Sequence, residues 1–160
     1  MEEMGQEEQQ DYYRHIYFYK NAIIRVFSTL DKLGYFMNDV FGLHTERIKE
    51  RFSYFSVLRQ MRFAKKEADL LHKLNALKDQ YAVPLSHLRK QRNMEIHLIN
   101  AEMMDDLAKH HGCAHTKTPI EDLDLNTSTL QQTFSMICQV FITTFEYIRL
   151  HPSHHLDKRR

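Results

Sequence analysis

IYFYKNAIIRVFSTLDKLGYFM, residues 16–37, places Ile16, Tyr19, Ile23, Val26, Leu30, Leu33 and Met37 at alternating steps of three and four. An α-helix turns once in 3.6 residues, so this spacing holds them all on one stripe, whereas a strand would scatter them over two faces. The pattern predicts a helix from residue 9 to residue 38, with Gly34 its weak interior point. Outward from it, Gly42 in VFGLHTER ends that helix, and Thr45 can cap the next by accepting an orphan amide hydrogen bond. A second helix over residues 46–64 would bury Ile48, Phe52, Phe55, Leu58 and Phe63. A third over 66–81 shows Leu70, Leu71, Leu74 and Leu77. Pro84 and Ser86 mark the start of a fourth, over 85–107. AKHHGCAHTKTPIEDLDLN breaks the periodicity and reads as the longest loop. Asn126 or Thr127 then caps a last helix to residue 150, with Leu130, Phe134, Ile137, Phe141, Phe145 and Ile148 as its seam.

Composition agrees. The chain has 160 residues with only 4 Gly and 3 Pro, too few turn formers for an all-β protein. The expected fold is all-α, an antiparallel up-and-down bundle of four to five helices. Residues 1–150 would form a single domain and residues 151–160, HPSHHLDKRR, a basic C-terminal tail. The apolar runs are short and broken by charges, so no membrane span is expected. The two cysteines, Cys113 and Cys138, build no disulfide framework, and the acidic start MEEMGQEEQQ is the reverse of a signal peptide. A cytoplasmic location is the expectation. The net charge is +1, yet residues 45–92 carry 12 Lys/Arg against 5 Asp/Glu. That surplus either presents a basic face to an anionic partner or is solvated helix surface laced with ion pairs.

The fourth helix holds an anomaly in KQRNMEIHLIN, residues 90–100. With Leu85 at zero and about 100° per residue, Leu88 falls at about 300°, Ile96 at about 20° and Ile99 at about 320°. Arg92 falls at about 340°, inside the apolar stripe, where an unpaired guanidinium costs several kcal/mol (about 3–5). A carboxylate such as Glu95, a wet cleft, an anionic ligand or a subunit boundary must answer it. Arg89 at about 40°, Asn93 at about 80° and His97 at about 120° occupy one flank of the same helix. Arginine recognises phosphate with a planar fork, and histidine exchanges a proton near neutral pH. Together they suit phosphodiester chemistry, with Arg89 and Lys90 as added phosphate contacts; a purely structural ion-pair network is the alternative.

At these residues the chain resembles the HEPN superfamily, in its stand-alone bacterial branch. That superfamily's signature is an Arg, four to six residues, then His, often with a polar residue after the Arg. Here it is Arg92-Asn93-Met94-Glu95-Ile96-His97, after VPLSHLRKQRN. DKLGYFMNDVFGL and PIEDLDLNTSTLQQTFSMICQVFITTFEYI carry the likeness further, over residues 11–149. The resemblance implies a helical bundle, a homodimer with two motifs facing each other across the interface, and no cofactor. It also implies metal-independent endoribonuclease activity of a toxin or defence kind, with His97 as general acid or base, Arg92 on the scissile phosphate and Asn93 orienting. Alternatively the chain is a non-catalytic module that binds RNA, a nucleotide or a partner protein such as an antitoxin.

Other clusters read as less informative. His110, His111, Cys113 and His115 offer soft ligands at no recognised zinc spacing, so no metal is assigned. DYYRHIYFYK could stack bases but is better explained as core, since Tyr12, Ile16, Tyr19 and Ile23 share the seam. No phosphate-cradling glycine loop or protease motif occurs.

Overall fold

A computed structural model describes residues 5–47, 52–108 and 122–152, the side chains of 98–108 excepted. The helices are α1 (Gln6–Val40), α2 (Tyr54–Ala64), α3 (Ala68–Gln80), α4 (Ala82–Ala108) and α5 (Leu123–Leu150), with one 3₁₀ turn at Thr45–Arg47. No strand occurs among the described residues, and none of their helices is long and apolar enough to cross a membrane. The expected all-α bundle is what forms. Ile48, the His110/His111/Cys113/His115 stretch and most of the tail lie outside the described residues.

α1 follows its seam: Tyr19, Ile23, Val26, Leu30, Leu33 and Met37 are all buried. At its end Gly42 adopts φ 55°. The Gly42 amide donates to the Asp39 carbonyl and the Leu43 amide to the Asn38 carbonyl. These are the paired bonds of a Schellman stop, and a residue without Cβ enters that left-handed turn at little cost. Lys66 Nζ then donates to the Phe41 and Gly42 carbonyls at 2.9 and 2.7 Å, placing a cation on the negative end of the helix.

The expected second helix is corrected at its start. Thr45 sits in the 3₁₀ turn, its amide donating to Asn38 Oδ1 at 3.0 Å, and α2 begins only at Tyr54. Ser53 is the true cap, and Asp31 Oδ1 accepts the Tyr54 amide at 2.9 Å. Phe63 is 74% exposed rather than core. Gly34 is the close-approach point, because a Cβ there would lie 2.9 Å from Tyr54 Cα.

The last helix is corrected twice. Asp122, not Asn126 or Thr127, is its cap, accepting the Leu125 amide at 2.9 Å. Its buried stripe runs through Asn126, Thr129, Thr133, Met136, Ile137, Val140 and Thr144, leaving Phe134 and Phe145 exposed. Thr133 and Thr144 can be buried because each hydroxyl donates back to a carbonyl four residues earlier, at 2.9 and 2.8 Å.

Direction follows from contacts along the helices. Phe36 meets Phe145 at 5.4 Å, while Ala22 and Leu130 share a groove lower down, so α1 and α5 run the same way. Glu67 accepts from Tyr147, Tyr81 from Gln139, and Gln91 donates to Asn126. α3 and α4 therefore descend along α5 as one line broken only at Tyr81.

Replacing Gly34 with alanine should destabilise the fold by about 1–3 kcal/mol, since the added methyl meets backbone rather than a side chain that could turn away. Urea unfolding followed by circular dichroism measures it; stability equal to wild type would mean α2 is free to shift.

Candidate functional site

The side of α4 that faces inward differs from the one its leucines suggest. Leu85 and Leu88 are buried, but Ile96 is 40% exposed. Gln91 turns inward instead. Its Oε1 accepts from the Tyr19 hydroxyl at 2.6 Å and its Nε2 donates to Asn126 Oδ1 at 2.7 Å. A glutamine so satisfied sits in a bundle at little net cost, and it rotates the buried stripe away from Ile96. Glu95 follows Gln91 inward and pairs with Lys20 at 2.9 Å. The rotation accounts for Arg92 in part: it lies on the shoulder of the stripe, half-buried, and Glu95 does not hold it.

Arg92 is held in other ways. Its guanidinium carbon lies 4.6 Å from the centre of the Phe27 ring, and Nη2 and Nε donate to Asn93 Oδ1 at 2.9 and 3.3 Å. One turn earlier, Arg89 stands over the Phe55 ring at 4.5 Å. Each contact contributes about 0.5–1 kcal/mol and fixes a plane that otherwise swings freely. Burial lowers the Arg89 pKa from the usual arginine value, and the charge of Arg92 lowers it further. Arg89 nonetheless keeps its charge at neutral pH, as arginines in proteins do. No carboxylate answers either guanidinium among the described residues. Two like charges, partly desolvated and held side by side, raise a strong local positive potential, which a phosphate relieves.

The remaining sequence-predicted residues are placed as follows. Asn93 is exposed and stands between Arg92 and His97 on the helix surface. His97 is exposed, about 140° round the helix from Arg92, and Lys90 is exposed on the same side as His97. The structure thus joins Arg89, Arg92 and Asn93 into one group and leaves His97 and Lys90 on the adjoining flank. Among the described residues no cluster of His, Cys, Asp or Glu could hold a metal ion.

The link that Gln91 makes from Tyr19, a residue of the α1 seam, to Asn126 was hidden from the sequence because a glutamine beside a leucine stripe reads as surface. Phe55 reads as plain core and Phe27 falls outside the α1 seam, although their rings carry the two guanidiniums. On the inward side of α4 this network borders a cleft of about 310 Å³, lined also by Lys20, His87 and Glu95.

Residues 1–149 match the family model described as HEPN_Cthe2314-like HEPN. No curated protein and no solved structure matches the chain.

Gln91→Leu should cost about 1–3 kcal/mol of stability, because it removes a donor and an acceptor from a polar chain linking three helices. Thermal unfolding tests this; a neutral or stabilised variant would mean water already serves those groups.

Proposed function

The chain belongs to the Cthe2314-like HEPN family, and from that premise we propose that it is a metal-independent endoribonuclease of the cytoplasm, of a toxin or defence kind, acting as a homodimer. The observation that carries this proposal is Arg92: a guanidinium fixed by Phe27 and Asn93, facing no carboxylate among the described residues, with His97 exposed on the next flank. In the proposed reaction His97 takes the proton of an RNA 2′-hydroxyl, and the 2′-oxygen attacks the adjacent phosphorus. The bond from phosphorus to the 5′-oxygen breaks, and that oxygen receives a proton from an imidazolium. The products are a 2′,3′-cyclic phosphate and a 5′-hydroxyl. Arg92 grips the non-bridging oxygens, whose negative charge grows as the fifth bond forms, and Arg89 and Lys90 hold neighbouring phosphates. Asn93 keeps the Arg92 plane in place. No cofactor enters the scheme.

The dimer is proposed for a geometric reason. Arg92 and His97 of one copy point to different flanks of α4, so a second α4 is needed to bring an imidazole to a phosphate held by Arg92. Ile96, one turn after Arg92 on α4, and Ile24, one turn before Phe27 on α1, are 40% and 39% exposed and suit such a contact.

A binding role without turnover is favoured by a different face. α1 and α5 enclose an apolar groove of about 360 Å³, lined by Ala22, Val26, Thr29, Leu130, Phe134 and Ile137. Exposed apolar surface of this kind fits a partner protein, and an antitoxin is one such partner.

Incubation of the protein with RNA in EDTA should yield fragments ending in 2′,3′-cyclic phosphate. His97→Ala should lower the rate about 10²–10⁴-fold, and Arg92→Ala about 10²–10³-fold, with helicity unchanged. Full activity in His97→Ala would remove the imidazole from the mechanism, and RNA binding with no product in any condition would leave the binding role.

A further inference from the structure

Residues 52–66 and 82–94 contain no aspartate or glutamate. The first stretch is α2 with its flanks and the second is the N-terminal half of α4, and Arg89 over Phe55 joins them at 4.5 Å. On α2, Phe55, Arg59 and Arg62 recur at steps of four and three, which sets them on one flank, and both arginines are exposed. Arg59, Arg62, Arg89 and Arg92 therefore form a cationic track crossing from α2 to α4. None of the four has a carboxylate partner among the described residues. Beside the start of α2, the Tyr35 ring stacks on Phe52 with centroids 3.8 Å apart and planes 13° apart. Tyr35 nevertheless remains 59% exposed. Along α1 it lies about 12 Å from Phe27, the ring beneath Arg92.

A row of guanidiniums beside an open aromatic ring suits a single strand. Its phosphates follow the cations and its unpaired bases can stack on the ring, whereas a duplex offers phosphates but keeps its base faces covered. We infer that this track binds single-stranded RNA, with phosphates on Arg59, Arg62 and Arg89 and a base on Tyr35, leading the strand to Arg92. The inference rests on the proposed RNA site for the phosphate at Arg92; the track itself is read by binding and not by cleavage.

The test is fluorescence anisotropy of a labelled, unstructured oligoribonucleotide on the full chain carrying His97→Ala, in EDTA, across a salt series. The double variant Arg59→Gln/Arg62→Gln should lower the slope of log affinity against log salt by about 1.4, two phosphate contacts on a single strand. Tyr35→Leu, which keeps apolar contact with Phe52, should weaken binding about tenfold at unchanged melting temperature, the range of one lost base stack. Arg14→Gln/Arg25→Gln removes equal charge from α1 at positions more than two turns from Tyr35 and turned away from Phe27, and should leave the slope as it was. An unchanged slope in the α2 variant, or an equal drop in the α1 control, overturns the track. Unaltered affinity in Tyr35→Leu, or equally tight binding of a blunt RNA duplex, overturns the single-strand assignment. Binding along the track with no cleavage by the wild type refutes the ribonuclease proposal alone, and cleavage with an unchanged slope refutes the track alone.

Discussion

The hydrogen-bonded chain from Tyr19 through Gln91 to Asn126 sets the rotation of α4, and everything at the candidate site depends on that rotation. It ties α1, α4 and α5 together at one level with bonds of 2.6 and 2.7 Å. An apolar residue at position 91 could be buried over a range of helix rotations, since apolar contacts are non-directional. A glutamine bonded on both sides allows only a narrow range, because each bond weakens steeply off its axis. With Gln91 turned inward, Glu95 one turn later is carried to Lys20, and Arg92 is carried to the shoulder over Phe27. The same constraint that stabilises the bundle thus separates the glutamate from the arginine. That separation leaves the guanidinium available for an anion from outside.

Held apart from carboxylates, the two arginines still need support, and the rings supply it. Full burial of an unpaired charge costs several kcal/mol, about 3–5, whereas half-burial over an aromatic face trades part of the hydration shell for a quadrupole at much lower cost. Arg89 shows the balance: burial is the larger pull on its proton and the neighbouring charge of Arg92 the smaller. The pair is therefore under electrostatic tension without being strained in its backbone. A bound phosphate removes that tension and gains bidentate geometry at once.

How much of this could be read from the chain depends on whether periodicity or hydrogen bonding decides a position. The α1 seam was legible because every residue from Tyr19 to Met37 in it is apolar and keeps helical step. The start of α2 was not, because Thr45 and Ser53 are both competent caps; Asp31 on α1 decides between them by accepting the Tyr54 amide. On α5 the expected seam holds at Leu130, Ile137, Phe141 and Ile148 but fails at Phe134 and Phe145, because Thr129, Thr133 and Thr144 count as polar in any pattern. Two of their hydroxyls are satisfied within the helix, which lets them displace Phe134 and Phe145 from the core. On α4 the identities of Arg92, Asn93 and His97 were legible as a motif. Their orientation was not, since it is set by what Gln91 meets on two other helices.

That orientation bears on the chemistry itself. Five residues along a helix amount to about 500° of turn and 7.5 Å of rise, so an arginine and a histidine at that spacing stand on different flanks about 140° apart. A long arginine stem could bridge part of that angle, but here Phe27 and Asn93 hold the guanidinium at the α1 side. One copy can therefore grip a phosphate or present an imidazole to it, and does not readily do both. In the proposed dimer a two-fold axis beside α4 would remove the difficulty, because it would set the His97 flank of one copy against the Arg92 flank of the other. The i to i+5 spacing, a poor arrangement for a site within one chain, becomes a workable one between two. Ile96, turned out of its own bundle by the same rotation of α4, would face the second copy in that proposed dimer.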